Sequence, residues 1–239
     1  VADMTPAALN VFVGHDSREA VATAVCIRSM RENSSIPLAI HKLSEPALRH
    51  TQLYRREWVM TNGQKFDLKD KKPFSTEFSF TRFLVPSLMM HAGWAVFVDA
   101  DFLFLEDIHD LLEEADEDFA VQVVKHGQLT EFGLKMDGQA QQPYFRKNWS
   151  SLVLWNCGHP ANQRLTPFVV NGMSGQWLHA FSWLGDDEIG ELTPEWNYLS
   201  GISTVGKPKA VHFTKGIPDM PGWEDSPYAD HWREVKSRL

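Results

Sequence analysis

The sequence predicts an α/β fold with a mixed, mainly parallel central sheet flanked by helices. A strand–helix–strand succession from Leu9 to Leu43 predicts it first, because a βαβ unit closes with parallel strands and a right-handed crossover. Apolar runs of strand length then recur between helix-like stretches as far as Lys209–Phe213. No repeat or interdomain linker interrupts the 239 residues, which are enough to bury a sizeable core. We therefore expect one domain over 1–239.

The run "LNVFVG" (Leu9 to Gly14) is apolar and ends in glycine, so it reads as the first strand. Asp16 is an N-cap candidate, and Glu19 three residues on comes close to a capping box. Ala20, Ala24, Ile27 and Met30 then repeat at helical spacing, and Ile36 to Leu43 alternates like a second strand. A helix is expected over 46–57 and a polar loop over 62–74. Residues 75–93 carry a helical stripe with Ser75 as a candidate cap, and Pro86 should kink or break that helix. Trp94 to Val98 is a strand, 108–115 a short helix, and 119–126 another strand. From Gly127 to Gln142 the chain is polar and rich in Gly and Gln, the pattern of a substrate-facing loop. A strand over 150–156, helices over 161–171 and 174–184, the strand Lys209–Phe213 and a terminal helix over 226–239 complete the expected order.

Hydrophobic residues make up 43% and charged residues 23%, an ordinary globular composition. The formal charge of −8, with no long Lys/Arg block, argues against nucleic acid as a partner. The same field repels anionic substrates, so any such substrate requires a local positive charge or a metal. No apolar run approaches the ~20 residues of a transmembrane helix. The start "VADMTPAALN" shows neither the basic nor the apolar region of a signal peptide, and its initial Val leaves an upstream processed piece open. Cys26 and Cys157, far apart, read as reduced packing cysteines, which fits a cytoplasmic setting or the inner face of a membrane. No feature of the sequence reports an oligomeric interface.

In "WAVFVDADFLF" an apolar run stops for Asp99, Ala100 and Asp101 and then resumes. In extended backbone, positions i and i+2 share a side, so the two carboxylates meet where the strand ends. Like charges so placed resist ionisation unless a cation or proton intervenes. Oxygen donors suit a hard divalent ion, Mg²⁺ or Mn²⁺, and the carboxyl end of a strand is where α/β sheets bind ligands. The plainer alternative gives one Asp a turn to cap and the other an Arg to pair; the flanking apolar strands favour the metal. Phosphatases of the haloacid dehalogenase type also place Asp-x-Asp after a strand. Here Leu103 stands where they carry Thr or Val, and no later "GDxxxD" follows, so that reading is rejected.

With "VFVGHDSRE", "FSFTRFLVP", "VFVDADFLF", "WLGDDEIGELTPEWN" and "VHFTKGIP" in this order, the chain resembles retaining, nucleotide-sugar-dependent glycosyltransferases of the GT-A fold. It looks like the group that contains glycogenin and the bacterial lipopolysaccharide galactosyl- and glucosyltransferases. The resemblance spans about 9–216 and implies a nucleotide-binding half (about 9–107), an acceptor and catalytic half (about 108–216) and a tail (217–239). It implies that Val13, Gly14, His15 and Asp16 line the nucleotide, that Arg82 contacts the donor sugar and the motif's carboxylate, and that Ala100 lies against the donor. It implies His212 as third metal ligand beside Asp99 and Asp101, with Lys215 and Gly216 at the diphosphate. The family usually spaces this last element His-x-x-Gly-x-x-Lys-Pro-Trp, whereas this chain reads His-Phe-Thr-Lys-Gly-Ile-Pro, which leaves the diphosphate lysine open.

The resemblance implies that Asp186 takes the place of the family's Gln or Asp beneath the sugar and that Asp187 matches the following Asp, where a carboxylate would stabilise oxocarbenium charge; helix N-capping is the plainer role for "DDEIG". The segment "RKNWSSLVLWN" resembles one that gives an Asn to sugar hydroxyls; Ser150 sits nearer the aligned place than Asn148. Trp149, Trp155, Trp177 and Trp183 include candidates for a sugar platform, although core packing accounts for any one of them. The implied activity moves a hexose from a nucleoside diphosphate sugar, a UDP-sugar, to a hydroxyl acceptor such as a saccharide. A sugar nucleotidyltransferase is the first alternative, but "VGHDSREAV" lacks the Gly-rich, basic loop that enzyme would carry. A non-catalytic nucleotide-sugar or carbohydrate-binding protein is the second.

Overall fold

The computed structural model describes residues 8–127, 146, 148–204 and 206–239. Strand β1 (Leu9–His15) leads through a 3₁₀ turn (Ser17–Glu19) into α1 (Ala20–Glu32) and parallel strand β2 (Leu38–Ser44), as the pattern requires. The buried stripe of α1 differs from the expected one. It runs through Ala22, Thr23, Val25, Cys26, Ile27, Ser29 and Met30, while Ala20 is exposed and Ala24 half-buried. Thr23 and Ser29 caused the shift, because polar side chains on the inner face hide its period.

The helix expected over 46–57 is only α2 (Glu45–His50). Gln52 takes φ 61°, a left-handed conformation that stops the helix, and Arg56 is drawn inward to pair with Asp67 at 2.7 Å. The loop expected over 62–74 is instead part of a small antiparallel sheet, β3 (Trp58–Thr61), β4 (Gln64–Asp67) and β5 (Lys72–Phe74). Asn62 and Gly63, at φ 52° and 75°, form the tight turn that joins its first two strands. Within 75–93 a 3₁₀ turn (Thr81–Leu84) runs into α3 (Val85–Leu88), and Pro86 lies in the first turn of that helix rather than kinking a longer one.

Strand β6 (Trp94–Val98) follows, then β7 (Phe102–Phe104), α4 (His109–Leu112), β8 (Val121–Val123) and β9 (Leu152–Asn156). The expected substrate loop falls almost wholly outside the described residues. Pro160–Arg164 is a 3₁₀ turn before α5 (Pro167–Gly172), and α6 (Gly175–His179), β10 (Ile189–Glu191), β11 (Tyr198–Leu199), β12 (Ala210–His212) and α7 (Ala229–Lys236) close the order.

The central sheet runs β10-β8-β9-β6-β1-β2. β1 pairs in parallel with β2 and β6, and β8 with β10, whereas β9 is antiparallel to both β6 and β8. Helices and loops cover both faces, which explains why its strands read as continuous apolar runs. Phe12, Phe97 and Val153 pack on one side, and Val11, Val13, Val96, Val98, Leu152 and Leu154 on the other. A second sheet, β11-β12-β7, pairs β7 antiparallel to β12 with Phe102 opposite His212. Asp99-Ala100-Asp101 is therefore the joint between the two sheets.

Candidate metal centre

The end of β6 places the first carboxylate. Asp99 N–H donates to the Ser151 carbonyl at 2.8 Å, which holds the chain against the neighbouring strand as it leaves the sheet. Phe213 N–H donates to the Asp101 carbonyl at 3.0 Å, which extends the β7–β12 pairing up to the second Asp. His212, 2% exposed, projects from β12 and stacks on Phe102 with ring centroids 4.4 Å apart and planes 19° from parallel. One ligand atom from each of Asp99, Asp101 and His212 lies within 4.8 Å of the other two. Two carboxylates and an imidazole converging so closely match the donor set of a hard or borderline divalent cation. The residues present fit the group.

Arg82 is the cation already there. Its Nη1 lies 2.8 Å from Asp99 Oδ1 and also donates to the Ser150 carbonyl at 2.8 Å, while Nε donates to the Phe78 carbonyl at 3.3 Å. The Phe97 and Phe78 rings flank the guanidinium at 4.9 and 5.3 Å. His212 Nε2 faces Asp101 Oδ1 at 3.4 Å, and its Nδ1 lies 2.9 Å from Asn197 Oδ1. His126 is a neighbour that the sequence did not disclose. Burial first, and then the proximity of His212, hold its imidazole at about 4, with the Asn197 side chain opposing, so it is neutral at neutral pH.

Val13 turns its side chain into the core, so only its backbone can face a ligand. Gly14 is required by packing: a Cβ there would lie 2.6 Å from Cδ2 of the Phe78 ring. His15 Nδ1 is 3.2 Å from Thr23 Oγ1. The Asp16 carboxylate is fully buried, caps Arg18 N–H at 3.0 Å, pairs with the Arg18 guanidinium at 2.8 Å and accepts from Glu77 N–H at 3.1 Å. Burial pushes its carboxyl up, but the Arg18 contacts and Glu77 N–H outweigh it and hold the group below its ordinary value. Ala100 is buried between the two carboxylates, and Ser150 Oγ sits 2.7 Å from His179 Nδ1. Lys215 and Gly216 occupy the turn directly after β12, closed by Gly216 N–H to the Phe213 carbonyl at 2.9 Å.

Asp186 and Asp187 are not among the converging ligand residues; both are exposed on a short 3₁₀ turn. Asp186 forms an ion pair with Arg146, whose guanidinium also lies over Trp149 at 5.1 Å and donates to the Ala180 carbonyl at 2.6 Å. Trp155 and Trp183 are stacked in the core at 6.2 Å and 11°, with Trp177 packed beside them. Trp149 alone of the four lies next to His126, donating Nε1–H to its carbonyl at 3.1 Å.

Protein CDI of Arabidopsis thaliana is 45% identical to this chain over 228 residues, covering 93% of this chain and 83% of the plant protein. The chain belongs to the Protein CDI family. No protein-family profile matches it. Among solved structures, the CDI-family chain is similar to the bifunctional glycosyltransferase WbbM, with a TM-score of 0.64 at 14% identity over 100% of this chain. It spans only 51% of the WbbM chain, about half its length. The galactosyltransferase LgtC, solved with donor and acceptor sugar analogues, has a TM-score of 0.58 at 10% identity, with 97% of this chain and 96% of that one covered. GlyE of Streptococcus pneumoniae gives 0.58 at 13% identity, covering 97% of this chain and 60% of its own. The fold of this CDI-family chain is thus the GT-A fold of glycosyltransferases, as the five sequence segments imply. Among the described residues no helix is long and apolar enough to cross a membrane.

Proposed function

We propose that this chain is a divalent-cation-dependent glycosyltransferase that moves a hexose from a nucleoside diphosphate sugar, a UDP-hexose, to a hydroxyl on a saccharide acceptor, with retention. The observation that carries the reading is the convergence of Asp99, Asp101 and His212 within 4.8 Å at the end of a central strand of a GT-A fold. Those three residues would hold Mn²⁺ or Mg²⁺, which when bound neutralises charge on a departing diphosphate. Arg82 pairs with Asp99 and holds its carboxylate in place. Lys215 supplies a point charge to the diphosphate from the turn after β12, and the Gly216 backbone lies against it. Backbone groups from Val13 to Asp16 border the nucleotide, because the Val13 and Asp16 side chains are engaged elsewhere. Asp186 and Asp187 face the sugar in this reading, with Arg146 holding the first of them in place. The proposed location is cytoplasmic.

A thermal-shift panel of UDP, GDP and their sugars, with and without Mn²⁺, tests this reading. A UDP-sugar and Mn²⁺ should stabilise the protein jointly, by about 2.7 kcal/mol at a hundredfold excess over Kd. Asp101→Asn should abolish the joint effect, and UDP should be released slowly from the matching donor. Equal stabilisation with and without Mn²⁺ in the unmodified protein would overturn it.

A further inference from the structure

We propose that Asn197 is a positioning residue that fixes the imidazole tautomer of His212 and so makes it competent to bind a metal; this rests on the divalent-cation reading above. Asn197 is 0% exposed, so its amide must find its partners within the protein. Its Nδ2 donates to the Asn148 carbonyl at 3.2 Å. A carbonyl only accepts, so the amide nitrogen must face that way and Oδ1 must face His212 Nδ1, 2.9 Å away. Oδ1 also only accepts. The proton of a neutral His212 therefore sits on Nδ1, and Nε2 keeps its lone pair toward the carboxylates.

Without this contact the balance runs the other way. Asp101 Oδ1 lies 3.4 Å from Nε2 and, as an acceptor, draws the proton onto that nitrogen. An imidazole protonated on Nε2 cannot ligate through it. Asn197 thus decides between a ligand and an internal hydrogen bond, while Phe102 sets the ring plane by stacking.

The other end of the Asn197 amide adds a second consequence. Asn148 holds φ 67° and ψ −1°, a left-handed conformation that Asn tolerates, which turns its carbonyl toward Asn197. Within the next three residues the Ser150 carbonyl accepts from Arg82 and the Ser151 carbonyl accepts from Asp99 N–H. The turn 148–151 is therefore a common anchor: one side holds Asp99 directly and through Arg82, the other holds His212 through Asn197.

Two measurements test the assignment. Side-chain ¹⁵N shifts of His212 in the metal-free protein report the tautomer, and electron paramagnetic resonance of free Mn²⁺, with UDP present, reports affinity. We expect the Nδ1–H tautomer in the unmodified protein. Asn197→Leu, close in shape but without hydrogen bonds, should populate the Nε2–H form and weaken Mn²⁺ about 10–100-fold. Asn197→Asp keeps the acceptor toward Nδ1 but sets a second oxygen against the Asn148 carbonyl, so it should retain the Nδ1–H tautomer and recover only part of that affinity. An Nε2–H tautomer in the unmodified protein overturns the proposal without any variant, which matters if Asn197→Leu does not fold. Unchanged Mn²⁺ affinity in a folded Asn197→Leu overturns it too. If the unmodified protein binds no Mn²⁺ with UDP, the divalent-cation reading fails instead, and the ¹⁵N spectra still decide whether Asn197 sets the tautomer.

Discussion

Replacing Arg82 with Leu should expose how much electrostatic strain the acidic joint carries. The side chain is 6% exposed and its Asp99 partner 14%, so solvent screens the pair poorly. The substitution deletes the 2.8 Å ion pair and two hydrogen bonds to main-chain carbonyls, and leaves Asp99 beside Asp101 without its guanidinium. Removing one partner of a buried ion pair typically costs about 3–5 kcal/mol. At roughly 2–4 °C per kcal/mol for a chain of this size, the midpoint of thermal unfolding should fall by about 6–20 °C in chelator. The divalent cation should then matter more to the variant than to the parent, because it relieves a repulsion no longer offset by Arg82. Differential scanning calorimetry of both proteins, with EDTA and with saturating Mn²⁺ and UDP, measures the two effects. A loss below about 1 kcal/mol would mean that the guanidinium stabilises the joint no more than a surface ion pair would. Identical Mn²⁺ increments would separate Arg82 from the cation site. Arg82→Lys should fall between the two, since an ammonium supplies the charge but not the fork that reaches both Asp99 and the Ser150 carbonyl.

Gly14→Ala should destabilise the protein by about 1–3 kcal/mol, because its Cβ would meet Cδ2 of Phe78 at 2.6 Å and the ring must shift. Urea titration should show a lower midpoint at unchanged slope, and no change would mean that the ring yields freely. Hydrogen bonds from Arg238 and then Arg28 hold the Glu32 carboxyl at about 2, below its ordinary 4.5. Its folded pKa is depressed, so the stabilisation is present above about 4.5 and drains as pH falls toward about 2. The stability difference between the parent and Glu32→Gln should therefore shrink across that interval in acid-unfolding curves, and a constant difference would refute the linkage. Burial pushes the Cys157 thiol up to about 12 and Cys26 further, so neither should react with a thiol reagent at pH 8 until urea unfolds the chain. Prompt labelling of the folded protein would contradict their burial.

The parts of this architecture legible in sequence are those where one physical signal dominates. β1, α1 and β2 announced themselves through an apolar run, a capping acid and a second run. The Asp-x-Asp interruption was conspicuous because its strand is otherwise unbroken. Other features depend on partners distant in sequence. The β3–β4 hairpin was hidden by the polarity of 62–74, although Asn62-Gly63 carried the turn signal. Nothing near Asn197 marks it as a partner of His212, since the pairing arises only when β12 lies against the segment that follows β10. Likewise the pairing of Asp186 with Arg146 needs two loops brought together, and the inner face of α1 is blurred because Thr23 and Ser29 are buried.

The joint between the two sheets has a consequence for how the protein is made. Its carboxylates leave the ribosome well ahead of the imidazole, which arrives on β12 near the end of the chain. Arg82 emerges before either Asp, whereas β12, which pairs with β7 directly after Asp101, is the last strand of the chain. If the three residues hold an ion as proposed, the nascent chain carries both carboxylates long before the imidazole, and loading would wait until translation is nearly complete.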